Sequence, residues 1–109
     1  MSQEPNSTGA DSRAARGIGD LKGQVAVITG STSGIGLALA RAVAAGGGDV
    51  VLNGLGDPTE IERTRADLEA SSGVRVLYHP ADMTRGDEIA DMIAFAEREL
   101  GRLDILVNN

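Results

Sequence analysis

The chain has 109 residues, of which 41% are hydrophobic and 24% are charged, and its formal net charge is −6. This length allows one ordinary globular domain, and the negative charge with 2% aromatic residues argues against nucleic acid or an anionic membrane as a partner. The absence of cysteine excludes disulfide scaffolds and thiolate metal sites. No apolar run reaches the length of a membrane span and no signal-peptide pattern opens the chain, so we expect a cytoplasmic protein.

The first predicted elements are a tail, a strand and a helix. Residues 1–20 are rich in Ser, Gly, Asn, Arg and Asp without a hydrophobic period, which predicts a disordered N-terminal tail before a folded domain over residues 21–109. An apolar run predicts a strand over residues 24–29 that is buried on both faces, as in a parallel sheet. A helix is predicted over residues 34–45, ended by three glycines.

Between this strand and this helix lies the sequence TGSTSGIG, residues 29–36. A strand, a glycine-rich turn and a helix form a phosphate-binding device, because the helix N-terminus presents unpaired N–H groups and a positive dipole end. The spacing T-G-x-x-x-G-x-G differs from the common G-x-G-x-x-G, and a tight turn that only packs helix on strand is the alternative. We expect Gly30 to let the chain leave the strand sharply, Gly34 to remove a Cβ where a phosphate approaches, and Gly36 to let the helix lie close to the sheet. The candidate phosphate contacts are Gly30, Ser31, Thr32, Ser33, Gly34, Ile35 and Gly36.

The remaining elements continue the alternation. Strands are predicted over residues 49–53, 74–78 and 103–107, and helices over residues 58–72 and 85–100. Asp57 and Pro58 are typical of a helix start, and a capping box from Thr84 to Asp87 is predicted to open the last helix.

The order β-α-β-α-β-α-β predicts an α/β fold with a doubly wound parallel sheet and strand order 3-2-1-4. Ligands of such sheets bind where the carboxyl ends of the strands meet, at the switch point between strands one and four. The loops at residues 30–36, 53–55, 82–83 and 108–109 all fall on that edge. Their convergence supports a ligand site better than any one of them does.

Several of these motifs resemble those of a known family. TGSTSGIG resembles the cofactor loop of the short-chain dehydrogenase/reductase family, and the last residues, ILVNN, resemble the start of its N-N-A-G motif. VLNGLGD at residues 51–57, with VLY at 76–78 and AD at 81–82, is similar to the bacterial D-3-hydroxybutyrate dehydrogenases of that family. The resemblance covers residues 21–109 and implies the N-terminal half of a Rossmann-type domain that binds a nicotinamide dinucleotide.

A dinucleotide laid across the predicted edge places its pyrophosphate at residues 31–36 and its adenosine at the end of the second strand. No carboxylate ends that strand, so Asn53 or a backbone amide is expected at the ribose. Asp57 is the alternative, although we assign it first to the helix cap. Leu55 is expected to flank the adenine.

The resemblance implies three further contacts. Asp82 would contact the adenine amino group, with turn capping as the alternative, and the backbone N–H of Met83 would contact a ring nitrogen. Asn109 would line the cofactor. Family members that use NADPH often carry a basic residue where this chain has Ser33 or Leu55, so NAD is the expected cofactor.

The family's catalytic Ser and Tyr-x-x-x-Lys are absent, since the only tyrosine is Tyr78 and the only lysine is Lys22. We therefore assign no catalytic and no metal-binding residue, and interpret the chain as a dehydrogenase fragment truncated at the start of the N-N-A-G motif and inactive alone. The resemblance implies that the intact enzyme oxidises (R)-3-hydroxybutyrate to acetoacetate and forms a homo-oligomer. The alternatives are a fragment of an NADPH-dependent 3-oxoacyl reductase and a non-catalytic nucleotide-binding module.

Overall fold

Strands and helices alternate along residues 20–109, the part of the chain that the computed structural model describes. The elements are β1 (Val25–Ile28), α1 (Gly34–Ala45), β2 (Asp49–Asn53), α2 (Pro58–Ser72), β3 (Val76–His79), α3 (Gly86–Leu100) and β4 (Ile105–Val107). The predicted bounds of α1, β2 and α2 are confirmed. The tail expected over residues 1–20 lies, except for Asp20, outside the described residues.

The four strands form one parallel sheet in the order β3-β2-β1-β4, which confirms the predicted fold class and strand order. In the centre of the sheet, Val27 of β1 is in register with Val51 of β2 and with Leu106 of β4. Because all four strands run the same way, the loops that follow them lie along one side of the sheet, here named the carboxyl edge.

The central strand β1 is buried on both faces, because its side chains alternate between two hydrophobic clusters. Ala26 and Ile28 pack under α1 and α2, while Val25 and Val27 pack under α3. The helical members of the first cluster are Ala40, Val43, Ala44 and Leu68, and those of the second are Met92, Ala96 and Leu100. The sheet is therefore fixed from both sides, and this holds the carboxyl edge in place.

The start of α3 differs from the prediction. The helix begins at Gly86 with Arg85 as its N-cap residue, and no side chain makes the capping hydrogen bond there. The capping box predicted from Thr84 is wrong, because the Thr84 hydroxyl donates backwards to Asp82 Oδ1 at 2.7 Å instead of forwards to the helix. The prediction missed this because Asp82 competes for the same hydroxyl.

Candidate functional site

Hydrogen bonds join the loops that leave all four strands at the carboxyl edge. The N–H of Gly30 donates to Asn53 Oδ1 at 3.2 Å, and Asn109 Nδ2 donates to the Gly30 carbonyl at 3.1 Å. Asn53 Nδ2 also donates to the Ala81 carbonyl, at 3.0 Å. The loops after β1, β2, β3 and β4 thus form one connected surface, as the sequence predicted.

The loop of residues 29–36, which the sequence predicts to hold a phosphate and which is here named the phosphate loop, owes its shape to its glycines. Gly30 and Gly34 have φ values of +58° and +60°, in the left-handed region that favours glycine. The direction in which a Cβ of Gly34 would point is open space, whereas a Cβ on Gly36 would overlap the carbonyl oxygen of Gly30. The close approach of α1 to the end of β1 that we expected at Gly36 is therefore present.

The N-terminus of α1 is open to an anion. Ser33 is its N-cap residue, but the hydroxyl makes no capping hydrogen bond, and the first turn has no acidic side chain. The first N–H groups of the helix therefore keep their positive dipole end available at the carboxyl edge. Ser33, Gly34 and Ile35 are exposed there, and Thr32 is partly exposed.

Ser31 has a different role from the one expected. Its side chain is 0% exposed, donates to the Ile28 carbonyl at 2.6 Å and accepts the Asn53 N–H at 3.0 Å. The hydroxyl is thus used inside the protein. The prediction of a direct phosphate contact through this side chain is not supported by the geometry, because the hydroxyl bonds to the last residue of β2 and so extends the contact between the two chain segments beyond the end of β1.

Asn53 is also placed differently from the expectation that it holds the ribose. Its side chain is 1% exposed, and both ends of the amide are engaged with protein groups. A buried amide with all its partners in the protein is not available to a ligand hydroxyl. The first exposed residue after β2 is Leu55, 70% of which faces solvent.

A cavity of about 190 Å³ lies between the phosphate loop and the start of α2. Asp57 occupies the predicted N-cap position of α2, but its side chain does not make the capping hydrogen bond that was expected there. Asp57 also lines this cavity. The lining residues are Thr32, Ser33, Leu55, Gly56, Asp57, Glu60, Ile61 and Thr64.

Asp82 makes the turn-capping contacts that were the alternative to an adenine contact. Its Oδ1 accepts the backbone N–H of Thr84 at 2.9 Å and the Thr84 hydroxyl at 2.7 Å. These two bonds, aided by the nearby charge of Arg85, lower the pKa of the Asp82 carboxyl. Asp82 is therefore ionised at neutral pH beside Met83, which is 37% exposed.

Asn109 is exposed at the carboxyl edge, where its backbone N–H donates to Thr29 Oγ1 at 2.9 Å. With the bond from its side chain to Gly30, it fixes the end of β4 to the start of the phosphate loop. Asn109 therefore lies beside the phosphate loop, and its contact with a cofactor stays a prediction.

Sequence reasoning missed three residues at this edge. The Tyr78 hydroxyl donates to the Gly54 carbonyl and so holds the loop after β2, and burial raises the pKa of this phenol. Glu60 and Thr64 line the 190 Å³ cavity. Their separation of four residues was a signal for one face of α2, but only the fold shows that this face lies beside the phosphate loop.

No helix within residues 20–109 is both long and apolar enough to cross a bilayer. The same part of the chain has no group of three or more His, Cys, Asp or Glu side chains placed to hold a metal ion.

Residues 24–109 match the family model described as short chain dehydrogenase. The chain is 55% identical over 86 residues to a D-beta-hydroxybutyrate dehydrogenase of Rhizobium meliloti and 48% identical over 90 residues to one of Cupriavidus necator. These matches cover 79% and 82% of this chain but 33% and 34% of the relatives. The chain therefore spans about a third of the length of these curated relatives.

A solved structure with the same architecture is L-sorbose reductase from Gluconobacter frateurii complexed with NADPH and L-sorbose. It has a TM-score of 0.76 and 37% sequence identity to this chain, over 83% of this chain and 34% of the reductase.

Proposed function

The chain belongs to the short-chain dehydrogenase family, and from that premise we propose that residues 21–109 form the nucleotide-binding part of an NAD-dependent dehydrogenase. The observation that carries this proposal is the open N-terminus of α1, whose first residue, Gly34, has a φ of +60° and open space where its Cβ would point. Such a terminus favours an anion such as the pyrophosphate of a dinucleotide.

The residues present fit a dinucleotide along the carboxyl edge. Exposed Ser33, Gly34 and Ile35 would hold the pyrophosphate, and the cavity beside Leu55 would take the adenosine ribose. Asp82 and Met83 would meet the adenine, and Asn109 would border the nicotinamide side. Ser31, Gly36 and Asn53 would shape this surface from beneath it.

The proposed preference for NAD rests on charge. Asp57 and Glu60 line the cavity that would take the ribose, and no Lys or Arg is among its lining residues. A 2′-phosphate requires a basic partner and is repelled by carboxylates, whereas a 2′-hydroxyl can donate to a carboxylate. A protein of the same architecture was solved with NADPH, so the fold does not by itself favour NAD, and these side chains carry the proposal.

For the whole protein we propose the oxidation of (R)-3-hydroxybutyrate to acetoacetate. Support comes from two relatives named D-beta-hydroxybutyrate dehydrogenase at 55% and 48% identity. The nicotinamide ring, when bound, supplies the hydride acceptor for such a reaction. This chain contributes binding and orientation, because it has neither the Ser nor the Tyr-x-x-x-Lys with which the family handles the hydroxyl proton.

The test uses the full-length protein, purified and titrated with NADH by nucleotide fluorescence and then assayed with NAD⁺ and each enantiomer of 3-hydroxybutyrate. We expect NADH binding and turnover of the R enantiomer alone. Binding without turnover of any hydroxy acid would favour the non-catalytic module, and faster turnover of a 3-oxoacyl thioester with NADPH would favour the reductase. Absence of NADH binding would overturn the proposal as a whole.

A further inference from the structure

We propose that Asn53 is a positioning residue that fixes the phosphate loop relative to the adenine-side loop, defined as residues 80–85. This inference rests on the proposed function, since it concerns how the same edge meets the two ends of one dinucleotide. Asn53 ends β2, between the strands that carry these two loops. Its role would be to set the distance between loops that it does not itself belong to.

The side chain of Asn53 reaches both loops at once. Its Oδ1 accepts the N–H of Gly30, in the phosphate loop, at 3.2 Å. Its Nδ2 donates to the carbonyl of His79 at 3.1 Å and to the carbonyl of Ala81, in the adenine-side loop, at 3.0 Å. One planar amide thus joins the carboxyl ends of β2 and β3 to the loops that follow β1 and β3.

The backbone of Asn53 makes a further pair of contacts with the phosphate loop. Its carbonyl accepts the Ser31 N–H at 2.7 Å, and its N–H donates to Ser31 Oγ at 3.0 Å. Every polar group of Asn53 is therefore used, and the side chain is 1% exposed. Because all the hydrogen bonds of Asn53 are made with protein groups, we expect it to affect a ligand only through the loops that it holds.

The chemistry of this position selects asparagine. The site needs one acceptor towards Gly30 and two donors towards the carbonyls of His79 and Ala81, which is the arrangement of a primary amide. A carboxylate keeps the acceptor but turns a second oxygen towards two carbonyl oxygens. In a buried setting such a mismatch is costly, and the loops would separate to relieve it.

The consequence for binding is preorganisation. Gly30 begins the loop that would hold the pyrophosphate, and Ala81 directly precedes Asp82 and Met83, which would meet the adenine. When both loops are fixed in advance, a ligand that spans them does not have to order them. Loss of the amide should therefore weaken ligands that need both loops more than ligands that need one.

The test compares ADP-ribose, which spans both loops, with free adenine, which lacks the ribose and phosphates and does not reach the phosphate loop. Both ligands are titrated into full-length wild type and Asn53→Asp by calorimetry or NMR. We expect the Kd for ADP-ribose to rise roughly tenfold and that for adenine to stay within about twofold. Partial unfolding would weaken both ligands by the same factor, so the ratio of the two Kd values isolates positioning.

The control is Asp49→Asn, the reverse isosteric exchange at the other end of the same strand, where Asp49 accepts the Arg75 N–H at 2.9 Å. Asp49→Asn should leave the ratio of the two Kd values unchanged. Asn53→Ser, which is too short to reach both loops, should repeat the effect without a charge and serves if Asn53→Asp does not fold.

Equal losses for the two ligands, or an unchanged ratio in a folded variant, would overturn the inference while leaving the proposed function intact. Failure of both Asn53 variants to fold would make Asn53 a residue of the fold alone and overturn the inference as well. If the wild type binds neither ligand, the proposed function fails first, and that outcome is visible before any variant is made.

Discussion

Gly36 and Gly30 touch through their backbones: a Cβ built on Gly36 would overlap the Gly30 carbonyl oxygen and lie 2.7 Å from Asn109 Nδ2. The first turn of α1 is thus pressed against the end of β1 at the point where the phosphate loop begins. The contact gives a reason for glycine at position 36 although its φ is not in the left-handed region.

The first prediction follows from this contact. Gly36→Ala should destabilise the full-length protein by about 1–3 kcal/mol and weaken NADH binding, because neither backbone can move away without shifting α1. Gly86→Ala is the control, since Gly86 also opens a helix but has open space around its Cβ position. Urea unfolding measures the stability of the two variants. Equal urea midpoints for Gly36→Ala and Gly86→Ala would contradict the packing argument.

The second prediction concerns the open space at Gly34. Gly34→Val should abolish dinucleotide binding, because the branched side chain would fill the place proposed for the phosphate. The control is Gly73→Val at the C-cap of α2, where φ is +78° and the surroundings are equally open. Both variants place valine at a positive φ, so they should strain the backbone to a similar degree. In an NADH titration, only Gly34→Val should lose binding. Unchanged affinity in Gly34→Val would refute the assignment of the phosphate loop.

The third prediction concerns cofactor choice. Wild type should prefer NAD⁺ over NADP⁺, and Leu55→Arg should narrow that preference about tenfold by giving a 2′-phosphate a charged partner. Ala70→Arg adds the same charge on the exposed side of α2 and should leave the preference for NAD⁺ unchanged. The measurement is kcat/KM for both cofactors. Equal values in the wild type would contradict the role given to Asp57 and Glu60.

The fourth prediction concerns pH and the outer edge of β3, where Arg65 donates to the Val76 carbonyl at 2.8 Å and Glu69 accepts the Val76 N–H at 3.1 Å. The hydrogen bond from the Val76 N–H is the largest cause of a lowered pKa of the Glu69 carboxyl in the folded protein, and the hydrogen bond from Arg65 is the second. A lowered folded-state pKa means stabilisation that is complete above the ordinary glutamate pKa of about 4.3 and lost as pH falls through the folded value.

Wild type should therefore be more stable than Glu69→Gln at pH 7, and the difference should shrink below about pH 4. Urea unfolding at several pH values measures it. Glu97→Gln, on the exposed side of α3, serves as the control and should have the stability of the wild type at every pH measured. A difference that persists at pH 3 would mean that the carboxylate charge is not the source of the stabilisation.

The fifth prediction concerns the 109-residue chain alone. It should show no dehydrogenase activity, weak amide protection and association at micromolar concentration. Within residues 20–109, β4 pairs only with β1, and Leu106 is 52% exposed, so the strand presents an open apolar edge. Hydrogen exchange and sedimentation test this. A monomeric, strongly protected chain that binds NAD⁺ would favour the stand-alone module instead.

The sequence by itself determined the alternation of elements, the parallel sheet and the loop with an open helix N-terminus. Each of these depends on local information: apolar runs report burial on both faces, and glycines report backbone that other residues resist. The strand order followed from the general rules for such alternation. These features needed no knowledge of which residues meet across the fold.

Only the tertiary structure decided which polar side chains face a ligand and which are used within the protein. Ser31 and Asn53 were candidates for direct contact, yet both are buried and hydrogen-bonded internally. The side-chain partners of Asn53 are distant in the sequence: Gly30 lies 23 residues before it, and Ala81 lies 28 residues after it. The sequence shows only that a polar residue ends a strand, and it does not show whether its partner is a ligand or a distant carbonyl. The partner depends on which loops the sheet brings together.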